Sequence, residues 1–169
     1  MTKEKNPMRE IKIEKVVFNI GGTGAELEKG VKLLQMLCPG RKESKMKSTK
    51  RIPTLGVRPG LEVGAVITVR KDIKDVLTKM LFAIDKKLRK KQISNNNFSF
   101  GVKEYLEVPG MEYSREIGMR GFDVTVVFKR TGRRVGQRKI KKSKVPERQR
   151  VTKEEIIKFM EENYSVKFR

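Results

Sequence analysis

The sequence predicts an α+β domain, a mainly antiparallel sheet with helices packed on one face and a concave second face left open. Three observations lead there. Apolar and polar residues alternate along "IEKVVFNI", "LEVGAVITVR" and "GFDVTVVFKR", so each segment has an apolar side and a polar side. Between them, "AELEKGVKLLQML" and "DIKDVLTKMLFAIDKKLRKK" carry apolar residues at helical spacing. The order of strand, helix, short strand, strand, helix, strands and helix then fits a largely antiparallel sheet covered on one side. A length of 169 residues suits one such domain, or one with an extension.

Each element has its own signal. In the first strand, residues 13–20, Val16, Phe18 and Ile20 share one side and Lys15, Val17 and Asn19 the other. "GGTG" turns the chain into a helix striped by Leu27, Val31, Leu34 and Leu37, and Pro39-Gly40 ends it. A short strand follows near residues 45–50, then an exposed loop from Ile52 to Gly60. In the next strand Val63, Ala65, Ile67 and Val69 oppose Gly64, Val66, Thr68 and Arg70. The spacing of Ile73, Val76, Leu77, Met80, Leu81, Ile84 and Leu88 predicts one long helix. Asp72 is its expected N-cap, and Lys86, Lys87, Arg89, Lys90 and Lys91 form a last turn that suits the helix dipole.

"NNNFSFGVKEYLEV" and "GFDVTVVFKR" read as two further strands on either side of a turn at Pro109-Gly110. The second points Phe122, Val124, Val126 and Phe128 inward, and Asp123, Thr125, Val127 and Lys129 outward. The basic stretch "VGQRKIKKSKVPERQR" comes next. Thr152 and Glu155 then form a capping box, opening a helix whose Ile156, Phe159 and Met160 should dock on the domain. That makes the basic stretch a loop held at both ends instead of a free tail.

Charge bounds the function. A formal charge of +21 repels itself, so a polyanionic partner is expected, nucleic acid first among them. No apolar run approaches bilayer-spanning length and no signal-peptide pattern opens the chain, so no membrane partner is expected. Cys38 is the single cysteine, read as a small buried side chain, which suits a reducing cytosolic compartment. The absence of histidine removes Ser-His and Cys-His catalysis and the common histidine metal sites. "GGTGAEL" fails as a dinucleotide fingerprint because Leu27 occupies the third glycine's place. No paired carboxylates or phosphate loop stand out, so the expectation is a non-enzyme with no cofactor and no metal.

The candidates are therefore binding residues. The polar sheet side offers Lys15, Asn19, Thr68, Arg70, Thr125 and Lys129, a surface of amides, hydroxyls and cations suited to a sugar-phosphate partner. Between 41 and 60, Arg41, Lys42, Lys45, Lys47, Lys50, Arg51 and Arg58 face one acid, Glu43, and Ile52, Pro53, Leu55, Val57 and Pro59 give the loop an apolar tip.

The segments "NPMREIKIEKVVFNIG", "KSTKRIPTLGVRPGLEVGAVITVR", "NNNFSFGVKEYLEVPGMEY" and "GFDVTVVF", in that order, resemble the universal large-subunit ribosomal protein five family, in its archaeal and eukaryotic branch. The resemblance implies a structural protein of the cytoplasmic ribosome that binds 5S rRNA in the central protuberance. It implies 5S rRNA contacts at Lys15, Asn19, Arg41, Lys42, Lys47, Lys50, Thr68 and Arg70, with Arg41 standing where many members have glutamine. Contacts to the large rRNA are implied at Asn6, Arg9, Arg133, Arg134, Arg138, Lys139, Lys141, Lys142 and Lys144. The loop of Ile52, Pro53, Thr54, Leu55, Gly56, Val57, Arg58 and Pro59 would touch P-site tRNA. Neighbouring 5S-binding proteins and a small-subunit head protein, reached across an intersubunit bridge, complete the implied partners. The chain then divides into an RNA-binding domain over 1–129, a basic rRNA-binding loop over 130–150, and a docking helix and tail over 151–169. The competing reading is a free-standing basic RNA-binding chaperone with little shape preference.

Overall fold

In the computed structural model, which describes residues 6–169, the chain runs β1 (Ile11–Gly21), α1 (Ala25–Leu37), β2 (Ser44–Lys47), β3 (Glu62–Val69), α2 (Ile73–Ala83), β4 (Lys87–Leu88), β5 (Ile93–Ser94), β6 (Asn97–Val102), β7 (Phe122–Arg130), α3 (Arg134–Gln137), α4 (Lys153–Tyr164) and β8 (Lys167–Phe168). The first five positions of the 1–129 unit lie outside the described residues. Six strands form one sheet in the order β2-β3-β1-β7-β6-β5, and every pairing in it is antiparallel. A mainly antiparallel α+β fold is thus what the residues build.

The alternation behaves as the sequence dictates. Val16, Phe18, Ala65, Ile67, Val69, Val124, Val126 and Phe128 are buried on one side of the sheet. Leu27, Leu33 and Leu34 of α1, Leu77, Met80 and Leu81 of α2, and Ile156 and Met160 of α4 complete the same core. Thr152 caps α4, and its hydroxyl and the Glu155 carboxylate exchange bonds with each other's backbone N–H. The buried ring of Tyr105 keeps its hydroxyl satisfied by accepting from Ser114 N at 2.9 Å. No charged residue is buried among the described residues. All that charge stays at the surface.

Helix α1 sits close on the sheet. A Cβ built at Gly30 would lie 2.7 Å from the buried Ile20 Cγ2, so only glycine lets the helix approach β1 this nearly.

Three local expectations are corrected. The long helix stops at Ala83, because Asp85 and Lys86 take positive φ of 53° and 55° and carry the chain out of helical geometry. Leu88 is still buried, but in β4, which pairs in parallel with β8, so the cationic run 86–91 is no helix terminus and answers no dipole. Asp72 is not a side-chain cap; it adopts φ 56° and pairs with Arg41 at 3.5 Å. The strand expected over 95–108 ends at Val102, and a single 3-10 turn at Tyr105–Glu107 follows.

Gly30→Ala is expected to destabilise the fold by about 1–3 kcal/mol, the clash outweighing a helix-propensity gain of about 1 kcal/mol. Guanidinium unfolding measures it, and the same change in an Ile20→Ala background should cost clearly less. Equal penalties in both backgrounds would place the strain elsewhere.

Candidate nucleic-acid interface

Because side chains alternate, the register that buries one side of the sheet also fixes the composition of the other. Ser44, Val66, Asn19, Asp123 and Gly101 align in one row across five strands. Thr68, Val17, Thr125 and Ser99 form the next row, and Lys15, Val127 and Asn97 the one after. These rows lie over hydroxyls, an amide and short aliphatic groups, with cations confined to the edge. Lys12 and Lys129 pair across the strands at the far end. Asn19 is exposed at the centre, and a cleft of about 280 Å³ runs past it along Gly21, Gly101 and Gly121, where no side chain rises from the sheet.

Two loops leave opposite ends of this sheet, roughly 30 Å apart along β1. At the Gly21 end, the β2–β3 connection closes into a knuckle. Ile52 and Val57 exchange backbone bonds of 2.8 and 3.0 Å around the Pro53–Leu55 turn, and Gly56 supplies the positive φ of 63°. Leu55 at its tip is 70% exposed, whereas Val57 is only 8% exposed. Val57 is therefore an internal prop of the knuckle, and the apolar surface offered outward is Leu55 with Ile52.

At the Ile11 end, the 6–9 turn and the 131–150 loop come together. Asn6 caps the turn by accepting from Met8 N at 2.9 Å, and Thr131 Oγ1 donates to Pro7 O at 3.3 Å. The loop itself is held at both roots. Arg133 donates to Glu14 at 3.1 Å and to Phe128 O at 3.3 Å, while Glu14 also accepts from Gln137. At the other root, Asn96 Oδ1 accepts from Val151 N at 2.8 Å and Asn96 N donates back to Val151 O at 3.0 Å. Arg130 pairs with Glu155 beneath the loop. Arg9, Arg134, Arg138, Lys139, Lys141, Lys142 and Lys144 are exposed.

A model of the C-terminal part of the ribosomal protein uL5 family matches residues 62–159. The chain belongs to the uL5 family. It is 42% identical to the large ribosomal subunit protein uL5 of Nanoarchaeum equitans, over 96% of this chain and 98% of that protein. The uL5 proteins of Sulfolobus acidocaldarius and Picrophilus torridus are 40% and 37% identical, with 97% and 99% of this chain and 94% and 97% of theirs aligned. The similarity to these archaeal uL5 proteins includes the basic loop and α4.

Within this member of the uL5 family, the expected site residues separate into groups. Lys15, Asn19 and Thr68 lie together on the open sheet side. Lys42, Lys47 and Lys50 are exposed along the β2 edge. Arg70, one residue past β3, borders a cleft shared with Ile13, Phe159 and Tyr164 at the end of the sheet. Arg41 is engaged by the fold, donating to Lys71 O at 3.1 Å as well as pairing with Asp72. Asn96 and Glu14 are anchors that residue spacing does not single out. The Asn-Asn turn of the β5–β6 hairpin, with Asn96 at φ 67°, hints at the first. Nothing in the sequence marks Glu14, which sits at a break in the β1–β7 register between Ile13 and Lys15. Cys38 is buried, and burial pushes its thiol up to about 11, so it stays protonated at neutral pH.

Burial pushes the Glu155 carboxyl upward, but the Thr152 N–H, the Arg130 guanidinium and the Thr152 hydroxyl together hold it below the usual carboxylate range. Its folded value lies under its unfolded one. The contribution is therefore full above about pH 4.3 and is lost as pH falls through the folded value. Amide exchange at 151–156 should accelerate more steeply below about pH 4 in the native chain than in Glu155→Gln. Parallel profiles would show that this carboxylate does not govern the anchor.

Proposed function

We propose that this chain binds 5S rRNA through the open sheet face, holds the large rRNA through the 131–150 loop and 6–9 turn, and reaches P-site tRNA through the 52–60 knuckle. Its coarser role follows from family membership: it is a structural, non-enzymatic constituent of the large subunit of the cytoplasmic ribosome, associated with ribosomal RNA. The observation that carries the finer reading is the row of Thr68, Val17, Thr125 and Ser99 beside exposed Asn19. A flat surface of hydroxyls and amides with edge cations suits the ribose 2′-hydroxyls and phosphates of a folded RNA, which is recognised by shape more than by base edges.

The other two contacts are supported by position. The knuckle projects Leu55 and Ile52 from one end, and the exposed loop cations crowd the other, so one protein spans separate RNA elements. Contacts with neighbouring 5S-binding proteins and with a small-subunit head protein belong to the same reading.

Asn19→Ala with Thr68→Ala should weaken 5S rRNA binding about tenfold while leaving thermal unfolding unchanged. Wild-type affinity should also fall with salt at a slope of about 0.7 to 0.9 per phosphate neutralised. Unaltered binding by the double variant, or equal affinity for unrelated hairpins, would overturn the assignment of this face.

A further inference from the structure

The loop from Thr131 to Arg150 also encloses space. Together with the end of β7 it surrounds a cavity of about 1040 Å³. Lys129, Lys142, Lys144 and Arg150 line it, and so do Val145 and Pro146. Arg150 is matched by Glu147 at 3.6 Å, but Lys129, Lys142 and Lys144 have no ion pair or side-chain hydrogen bond among the described residues. Three unmatched ammonium groups around one cavity repel one another, and a bound anion relieves that repulsion.

The wall opposite them is fixed. A Cβ at Gly136 would stand 3.0 Å from Val145 Cγ2, so the apolar side chain is seated against α3. Ser143 N donates to Val135 O at 3.2 Å, and the Asn96–Val151 and Arg133–Glu14 contacts hold the loop's roots. The volume sits at the top of the range of roughly 300–1,000 Å³ for small-molecule pockets, too large for a phosphate alone.

We infer that this cavity receives one unpaired nucleotide of RNA, its phosphate held by Lys129, Lys142 and Lys144 and its base laid against Val145 and Pro146. The inference rests on the rRNA reading of the loop and deepens it. A continuous duplex is a convex rod and meets only the outward cations Arg134, Arg138 and Lys139. A splayed-out nucleotide can enter.

The test uses the full chain and two RNA duplexes that differ by one bulged adenosine, at fixed salt. The bulged duplex should bind about tenfold tighter than the fully paired one. K129A/K142A/K144A should erase that preference, and the matching glutamine variants repeat the measurement with side-chain length closer to the original. R134A/R138A/K139A should weaken both duplexes alike and keep the preference. Equal binding of the two duplexes by the native chain overturns the nucleotide site, as does a preference that survives the inner lysine changes. If neither set of changes weakens either duplex, the loop does not bind RNA and the broader reading fails with it.

Discussion

Everything in this molecule hangs on β1 and its two antiparallel neighbours. Val16, Phe18 and Ile20 face the helices only while Val17 and Asn19 face outward, and β3 and β7 hold that register on both sides. A slip of one residue would expose the core and bury Asn19 and Lys15, so the helical layer enforces the composition of the open face. Stability and recognition are thus written into alternate positions of the same strand. The register break at Glu14 adds a third role, since it brings a carboxylate to the root of the basic loop, where Arg133 meets it.

Charge is sorted by residue type as well as by place. The more buried ion pairs use arginine: Arg41 with Asp72, Arg120 with Glu26, Arg130 with Glu155 and Arg133 with Glu14. Arg120 also donates to the carbonyls of Gly21 and Glu26, tying the segment before β7 to the turn that opens α1. A planar fork with several donors can satisfy a carboxylate and a backbone carbonyl together, which an ammonium does less well. The scarce acids therefore pin arginines into the fold. Many lysines are left unmatched at the surface, where a phosphate partner meets little competition.

That sorting explains what the sequence could and could not disclose. Alternation and helical stripes are local, so the core of β1, β3 and β7 was legible from residue spacing, as was the Thr152–Glu155 cap. The end of α2 was not, because Ile84 and Leu88 keep the helical period while β8, some eighty residues later, draws Leu88 into a strand. Arg41 read as an RNA contact for a similar reason: its partners, Lys71 and Asp72, lie on the far side of β2 and β3 in sequence. Val57 shared its neighbours' apolar character, but closure of the knuckle turned it inward. Local pattern reveals which residues are apolar or charged. It does not reveal which of them the fold uses up.

The anchoring of the basic loop bears directly on how tightly it can hold RNA. A free tail of like charge must be ordered along its whole length at the moment of binding, and that lost freedom subtracts from the attraction. Here Asn96 grips Val151, Glu14 grips Arg133, and both roots are fixed before any partner arrives. The backbone freedom left between them is further reduced by α3 and by the Ser143–Val135 contact. Since closure entropy grows only slowly with loop length, most of the ordering has been met by folding itself. A loop prepared in this way can carry polar and apolar walls as well as charge, and so can distinguish one RNA shape from another.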